Sequence, residues 1–259
     1  MEPLLIKREI ADHIAVVTLN NPPVNAQSRE FMEQLIRCFD EINEMPDVRV
    51  VVLTAEGQKV FSAGADIKAR LHGHASPGDT YAHARRVRET SNCIMELNKP
   101  VIAAINGAAL GAGLGLMLAC DIYIVSENAQ IGLPEIDVGL MGGARHTMRL
   151  MPHSIAREMI LTGRRISGAE LFRLGVVSAC VPPDELMNTA MAMARNIARK
   201  SPAALRFAKR AINTVETMNL RDGYRFEQNL TIELSRHDDS REAMKAFVEK
   251  RDPVFKDTL

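Results

Sequence analysis

The order of hydrophobic and polar positions predicts alternating strands and helices in the first part of the chain. Short apolar runs such as "HIAVVTL" and "VRVVVLTA" alternate with stretches whose apolar residues recur at helical spacing. Phe31, Leu35 and Phe39 follow that spacing after Ser28, a residue type that caps helices. The continuous apolar run at 48–55 is typical of a strand buried on both faces of a sheet. This repetition predicts an α/β core with largely parallel strands and right-handed crossovers.

After about residue 150, strand-like runs become rare and helical spacing dominates. The segments from "SIAREMILTG" to "SREAMKAFVEKR" all have a helical pattern and are rich in Ala and Met. Such residues at helical spacing are more typical of packing than of a functional site, and they also pack against neighbouring subunits. The pattern therefore predicts that the last third of the chain is α-helical.

The segment 101–125 is apolar and long enough to be compared with a membrane span. Gly107 and Gly111 even have the GxxxG spacing of packed membrane helices. Asn106 and Asp121 interrupt the run, however, and the central glycines weaken a helix. No second apolar span follows, so the sequence predicts no membrane partner.

Composition narrows the class of protein without naming a function. The 259 residues carry 32 basic and 32 acidic side chains, so we expect no broad attraction to nucleic acid. Four widely spaced cysteines without a CxxC pair predict free thiols in a reducing compartment. The N-terminal stretch lacks the apolar core and cleavage site of a signal peptide. We therefore expect a cytoplasmic protein.

Two turns of small residues follow predicted strands, in "FSAGADI" and in "NGAALGAGLGL". A dinucleotide-binding fingerprint, GxGxxG, that starts at Gly111 requires glycine at position 116, where this chain has Leu116. The phosphate-binding loop GxxxxGK[ST] is also absent from the sequence. A strand that turns into a helix through small residues exposes several backbone N–H groups. Two such turns are suited to hold one oxyanion, such as the enolate oxygen of a thioester. Close packing of a helix on a sheet explains the glycines equally well.

Six segments resemble the crotonase, or enoyl-CoA hydratase/isomerase, superfamily in the same order along the chain. They are "FSAGADIK", "KPVIAAINGAALGAG", "ACDIYIVSENAQIGLPEIDVGL", "LTGRRISGAEL", "LGVVSACVP" and "SREAMKAFVEKRDPVFK". The resemblance implies an α/β fold with a crotonase-like ββα spiral core over residues 1–195, which contains the acyl-CoA site. It implies a C-terminal α-helical trimerisation region over residues 196–259, and a homotrimer or a hexamer built as a dimer of trimers. The implied substrate is an acyl-CoA thioester, with coenzyme A as part of the substrate and no separate cofactor or metal.

The resemblance also implies which residues bind the thioester. The backbone N–H groups of Ala65 and Ala112 match the two donors that hold the carbonyl oxygen, and Gly111 belongs to the second turn. The family usually has glycine at the position of Ala112, so its methyl group is a departure that can reshape the pocket. Candidate contacts to coenzyme A are Ala63, Asp66, Ile67 and Lys68 in the first turn, and Phe247, Lys250 and Phe255 near the C-terminus. A solvated basic tail is the alternative for the C-terminal set.

One pair of positions bears on the type of reaction. In enoyl-CoA hydratases of the family, two glutamates act on one water molecule. Glu135 matches one of them, whereas Gly115 stands where the other is expected. A single carboxylate can still remove a proton from C2 and return it at C4, which moves a double bond. The alternative for Glu135 is a solvated acid at the end of a strand.

The segment 142–150, "GGARHTMRL", replaces two glycines of the family's usual run with Arg145 and His146. We hypothesise that one of them compensates for the missing acid, as a proton shuttle or as a contact to a polar acyl group. Histidine suits the first role because it titrates near neutral pH. Outward-pointing side chains or structural hydrogen bonds are the alternative. His72 and His74 have no acid or cysteine partner nearby, so they predict no metal site.

Together these observations predict an enzyme of the enoyl-CoA hydratase/isomerase type, a lyase or isomerase that stabilises a thioester enolate with Glu135 as acid and base. Other crotonase chemistry remains open, namely thioester hydrolysis, decarboxylation or C–C cleavage. A non-catalytic acyl-CoA-binding subunit is a further alternative. An NAD-linked oxidoreductase would require the dinucleotide fingerprint that the sequence lacks.

Overall fold

The computed structural model describes residues 3–67 and 76–256 of the chain. Within these residues the strands, numbered in chain order, form three β-sheets. The largest sheet has the strand order β1 (Ile6–Ala11), β2 (Ile14–Leu19), β4 (Val50–Ala55), β7 (Val101–Ile105), β9 (Ile122–Ser126) and β12 (Ala179–Val181). The second has the order β11 (Arg165–Ser167), β10 (Gln130–Gly132), β8 (Ala108–Leu110) and β5 (Val60–Ser62), and the third pairs β3 (Ala26–Gln27) with β6 (Gly64–Ala65).

The α-helices of the described residues are likewise numbered in chain order. They are α1 (Arg29–Asn43), α2 (Pro77–Met95), α3 (Ala112–Leu118), α4 (Ala144–Leu150), α5 (His153–Thr162), α6 (Gly168–Arg173), α7 (Leu186–Ala198), α8 (Pro202–Val215), α9 (Leu220–Ser235) and α10 (Asp238–Glu249). Two short 3₁₀ helices cover Pro134–Val138 and Pro183–Glu185. The predicted cap of α1 is confirmed, because the Ser28 hydroxyl accepts a hydrogen bond from the Phe31 N–H at 3.2 Å.

The central strands of the largest sheet are parallel, as the sequence predicts. β2 pairs with β4, β4 with β7, β7 with β9 and β9 with β12, all in parallel register. β1 instead forms an antiparallel hairpin with β2, and β11 pairs antiparallel with β10. The prediction of an α/β core with largely parallel strands is confirmed.

The region after about residue 150 is mostly helical, as predicted, but it also contains two short strands that the pattern does not predict, β11 and β12. Each has three residues, which is too short for the period-two pattern that reveals a strand. Both depend on a neighbouring strand for their hydrogen bonds: Ile166 lies opposite Ile131 in β10, and Cys180 lies opposite Val125 in β9. Their strand conformation therefore depends on pairing with β10 and β9 and not on their own sequence pattern.

Alternate residues of β4 pack on opposite faces of the largest sheet. Val51 and Leu53 join a cluster with α1 and α3 on one face. Val50 and Val52 join a second cluster, which α7 covers with Leu186, Ala190, Ala194 and Ala198. Small side chains at every fourth position place α7 close to the sheet.

The predicted boundary between the spiral core and the C-terminal region, at residue 195, falls inside α7. The separation of the chain into these two units stays a prediction.

Both polar residues that interrupt the apolar segment 101–125 have structural partners. The Asn106 amide donates to the carbonyl oxygens of Ala55 and Gly57 at 2.8 and 2.6 Å. Asp121 Oδ2 accepts from the Val101 N–H at 2.7 Å and from the ammonium group of Lys209 in α8. The segment itself is strand, turn, short helix and strand. In the part of the chain that the structure describes, no helix is both long and apolar enough to cross a membrane.

Lys209 anchors the C-terminal helices to the core. Its side chain is only 4% exposed, and its ammonium group pairs with Asp121 Oδ2 at 2.9 Å. It also donates to the carbonyl oxygens of Ile94 and Lys99 at 3.2 and 3.0 Å. A buried charge needs such a set of partners, since an unpaired one is costly. α8 is thereby fixed to the end of α2 and to β9.

The cysteines are free thiols, as predicted. Cys38 and Cys120 are buried, and Cys93 and Cys180 are half-buried. Burial raises the pKa of the Cys38 thiol to about 11 and that of Cys93 to about 12. The neutral thiol is therefore the stable form of both at neutral pH, and neither has the low pKa of a reactive cysteine.

Candidate active site

The two turns of small residues lie directly against each other. A Cβ added at Gly113 would lie 2.2 Å from the carbonyl oxygen of Ser62, and one added at Gly64 would lie 2.9 Å from the backbone nitrogen of Ala112. Distances this short leave no room for a side chain at either glycine. The glycines therefore bring the segment that contains Ala65 into contact with the start of α3.

Ala65 and Ala112 present their backbones in different ways. Ala65 is half-buried in β6, in parallel register with Gln27 of β3. Ala112 is the first residue of α3, so no carbonyl of that helix can accept from its N–H. Gly111 precedes it with φ +56°, a conformation that favours glycine, and its own N–H donates to Gly132 O at 2.9 Å. The turn thus leaves the Ala112 N–H for a partner outside the helix.

Glu135 lies over the second turn. It belongs to the 3₁₀ helix Pro134–Val138, is half-buried, and has an enclosed Oε2 atom. A Cβ added at Gly111 would lie 2.6 Å from Glu135 Oε1, and one at Gly142 would lie 3.9 Å from the same oxygen. This position differs from that of a solvated acid at a strand end, and it brings the carboxylate to the residue before Ala112.

Gly115 lies one turn beyond Gly111 in α3, and its N–H donates to Gly111 O at 3.2 Å. Among the described residues, a Cβ added there would have one neighbour within 4 Å, the hydroxyl of Ser91 at 3.9 Å. The backbone therefore accepts a side chain at this position, but the sequence supplies none. Of the two expected acids, the chain has only Glu135.

Arg145 and His146 lie in the first turn of α4. Arg145 is exposed, whereas His146 is half-buried. Burial lowers the pKa of the His146 imidazole, and the nearby Arg149 and Arg145 guanidinium groups lower it further. Arg149 is itself held by Glu216 at 2.9 Å. His146 is therefore neutral at pH 7, which suits a hydrogen-bond or base role and not that of a cation.

The lowered pKa of His146 predicts a specific pH dependence of stability. The unfolded imidazole binds a proton near pH 6.5, whereas the folded one does so only at lower pH. The unfolded state therefore binds more protons in that window, and the free energy of unfolding rises with pH through it. This contribution is fully present above pH 6.5 and is lost as the pH falls through the folded pKa. We expect His146→Gln to flatten the change in urea midpoint between pH 5 and pH 7.5.

The matched control is His153→Gln, which changes an exposed histidine at the start of α5. It is expected to keep the wild-type pH dependence. The same loss of pH dependence of the urea midpoint in both variants, or in neither, would contradict a special environment for His146.

A parallel assay of His146→Ala on a panel of enoyl-CoAs tests the role of His146 in the reaction. An unchanged kcat/KM for every substrate would show that His146 takes no part in the mechanism.

The predicted coenzyme A contacts are only partly brought together. In the first turn, Ala63 and Ile67 are exposed and Asp66 is half-buried, while Lys68 lies outside the described residues, as do His72 and His74. At the C-terminal end, Lys250 and Phe247 are exposed and Phe255 is half-buried. No hydrogen bond or ion pair joins Lys250 or Phe255 to the first turn within the described chain. A role for them therefore stays a prediction.

No group of three or more metal-ligating side chains comes together within residues 3–67 and 76–256.

Two residues near the candidate site are not distinguished by any sequence pattern. Gln27 is 5% exposed, lies opposite Ala65, and has an enclosed amide nitrogen without a hydrogen-bond partner among the described residues. Ser91 lies beside Gly115. Each is an ordinary polar residue by pattern, and only the packing of separate elements shows its position.

The parallel sheet, the apposed glycine turns and the carboxylate over the second turn define a protein of the crotonase fold. The family model "Enoyl-CoA hydratase/isomerase" matches residues 9–258. A crystal structure of an enoyl-CoA hydratase from Bacillus anthracis superposes with a TM-score of 0.93 at 37% identity, covering 98% of this chain and 100% of that one. Pseudomonas aeruginosa DspI superposes with a TM-score of 0.92 at 33% identity, covering 99% and 98%.

A relative from Salmonella enteritidis strain P125109, named carnitinyl-CoA dehydratase, is 36% identical over 250 residues, which are 94% of this chain and 95% of the relative. The chain belongs to the enoyl-CoA hydratase/isomerase family. It is an enzyme of that family, and acyl-CoA thioesters are the family's substrates. The resemblance seen in the sequence is thereby confirmed.

Proposed function

We propose that this enzyme moves the double bond of an enoyl-CoA thioester and uses Glu135 as the acid and base. The observation that carries the proposal is the position of one carboxylate beside Gly111 and Ala112, next to a Gly115 that has no side chain. One carboxylate suffices for removing and returning a proton on the same face of a substrate. Activation of water by two acids has no second group at the expected position.

In the proposed complex, the N–H groups of Ala65 and Ala112 donate to the thioester oxygen. The contact between the two turns supports this arrangement, because it brings both backbones to one place. Donors held in advance by the fold stabilise the negative charge that develops on that oxygen, without reorganisation during the reaction. The thioester oxygen is a suitable acceptor because it carries the charge of the enolate.

The proton transfer conserves atoms and electrons. Glu135 removes a proton from C2 of a 3-enoyl-CoA. The C–H electron pair forms the C1–C2 double bond of a dienolate, and the C1–O π pair moves onto the thioester oxygen. The proton on the Glu135 carboxyl group exchanges with solvent. The C3–C4 π electrons then take a proton from that group at C4, the C1–C2 π pair moves between C2 and C3, and the oxygen returns its pair to the carbonyl. The carboxylate is restored, so no other reactant is needed.

Hydration or dehydration is the second candidate. The names of the Bacillus anthracis structure and of the Salmonella relative favour it, since one is a hydratase and the other a dehydratase. For this chain it would require a replacement for the acid that Gly115 lacks. His146, neutral and half-buried on α4, is the candidate replacement that the sequence suggests.

Product analysis in labelled water separates the two reactions. The purified protein is incubated with 2-enoyl- and 3-enoyl-CoAs in D₂O and, separately, in H₂¹⁸O, and the products are analysed by mass spectrometry. We expect interconversion of the two substrates with deuterium incorporation and without ¹⁸O. Incorporation of ¹⁸O would establish hydration in place of isomerisation. Binding of acyl-CoA without turnover of any substrate would support the non-catalytic alternative.

We also propose that the chain forms a homotrimer or a hexamer, and that coenzyme A enters only as part of the substrate. Large apolar side chains on α9 and α10 support the assembly, since Leu220 is 90% exposed and Phe247 is 85% exposed. Such surfaces are typical of protein contacts. A cytoplasmic location remains a prediction that rests on the free thiols.

A further inference from the structure

Ser91 is a half-buried residue of α2, the helix that packs on α3. Its hydroxyl oxygen lies 3.9 Å from the Cβ position of a side chain added at Gly115. Gly115 is half-buried as well. The hydroxyl of Ser91 and the backbone of Gly115 therefore border the same space.

The Ser91 hydroxyl differs from its polar neighbours in the same helix. The Thr90 hydroxyl donates to Arg86 O at 2.7 Å, and the Cys93 thiol donates to Thr90 O at 3.4 Å. Both groups are thus satisfied within α2. Ser91 forms no side-chain hydrogen bond with any described residue. A serine hydroxyl that does not bond back to its own helix keeps its donor and its acceptor for a ligand.

The distance along α3 relates this space to an acyl chain. Gly115 is three residues beyond Ala112, which is about 4.5 Å along the helix axis. With carbon–carbon bonds of about 1.5 Å, the third and fourth acyl carbons lie roughly 2.5 to 4 Å from the thioester carbon. When the thioester oxygen binds at the Ala112 N–H and the acyl chain runs along α3, as the inference requires, those carbons lie level with Gly115. Gly115 lies one turn beyond Gly111, to whose carbonyl oxygen its N–H donates at 3.2 Å, and Glu135 lies over Gly111.

We propose that Ser91 is a specificity-determining residue, whose hydroxyl binds an oxygen substituent on the third or fourth acyl carbon. The lack of a side chain at Gly115 gives that substituent its room. The substrate class is an acyl-CoA thioester with a hydroxyl or carbonyl group at C3 or C4. This inference rests on the proposed function for the orientation of the thioester, but it concerns recognition and not proton transfer.

The test compares binding of three probes by calorimetry: butyryl-CoA, 3-hydroxybutyryl-CoA and 4-hydroxybutyryl-CoA. Removing one neutral hydrogen bond is expected to weaken binding by about 3- to 10-fold. We expect Ser91→Ala to show this loss for at least one hydroxylated probe, and no change for butyryl-CoA. Gly115→Val is expected to weaken the same hydroxylated probe more than butyryl-CoA, because the added methyl groups occupy its space.

Asn92→Ala is the matched control, because Asn92 follows Ser91 in α2 and points away from it by about 100°. It is expected to bind all three probes as the wild type does. An equal effect of Ser91→Ala on all probes, or no effect on any, overturns the inference.

Binding and turnover also separate this inference from the proposed function. Selective loss of the hydroxylated probe without isotope transfer from solvent would overturn isomerisation and leave the role of Ser91 standing. Isotope transfer from solvent, without a selective loss of binding of the hydroxylated probe, would support isomerisation and overturn the role of Ser91.

Discussion

Replacing Glu135 by Gln is expected to lower kcat/KM for enoyl-CoA by about 10²- to 10⁴-fold, the usual contribution of a general acid–base group. The carboxamide keeps the size of the group that lies over Gly111 and beside Gly142, so the two turns should stay in contact. It cannot accept the proton from C2, however. The expected result is a folded protein that binds acyl-CoA with nearly unchanged Kd but no longer exchanges deuterium into the substrate.

Asp137→Asn is the matched control for Glu135→Gln. Asp137 belongs to the same 3₁₀ helix and its side chain is exposed. The same change from carboxylate to amide at this position should leave kcat/KM within about 2-fold of the wild type. If Glu135→Gln retained more than about a third of the wild-type kcat/KM, another group would have to act as the base.

Gly113→Ala is expected to have the largest effect on stability, a loss of about 3 kcal/mol or more. The added methyl group would lie 2.2 Å from the carbonyl oxygen of Ser62 and 2.8 Å from its carbonyl carbon. These are backbone atoms at the end of β5, so no side-chain rotation relieves the clash. The start of α3 and the first turn would have to separate, and activity should fall with the urea midpoint of unfolding.

Gly115→Ala makes the same change two residues further along the same helix. Of the described residues, its methyl group would approach only the Ser91 hydroxyl, at 3.9 Å, which is an ordinary van der Waals distance. Alanine is the better helix former, so this variant should gain about 0.5 to 1 kcal/mol of stability. The free energy of unfolding should therefore fall in Gly113→Ala and rise in Gly115→Ala. A Gly113→Ala protein as stable as the wild type would show that the turns do not need their close contact.

Much of the fold follows from local pattern. Strands β4 and β7 are continuous apolar runs because both of their faces are buried. Helix α1 has apolar residues at helical spacing because only one side of it is buried. Short strands such as β8 and β12 carry no such pattern. They depend on hydrogen bonds to neighbouring strands, which exist only after the sheets have formed.

The two turns of small residues were visible in the sequence itself, whereas Glu135 and Gly115 were singled out only through the resemblance to a family. By its pattern alone, Glu135 is an acid at the end of a strand, and Gly115 is one glycine among several. Ser91 was not singled out at all, because a serine on a mostly polar helix is unremarkable by composition. What distinguishes these residues is their neighbours, and those neighbours belong to other elements.

The sequence by itself determined the order of most elements, the family, and the lack of an acid at Gly115. These features depend on residue identity and on spacing within one segment. Only the tertiary structure decided that Gly113 meets Ser62, that Glu135 lies over Gly111, and that Ser91 lies beside Gly115. The same holds for the pairing of Lys209 with Asp121, which are 88 residues apart. Such contacts depend on the register and packing of several elements at once, and no local spacing encodes them.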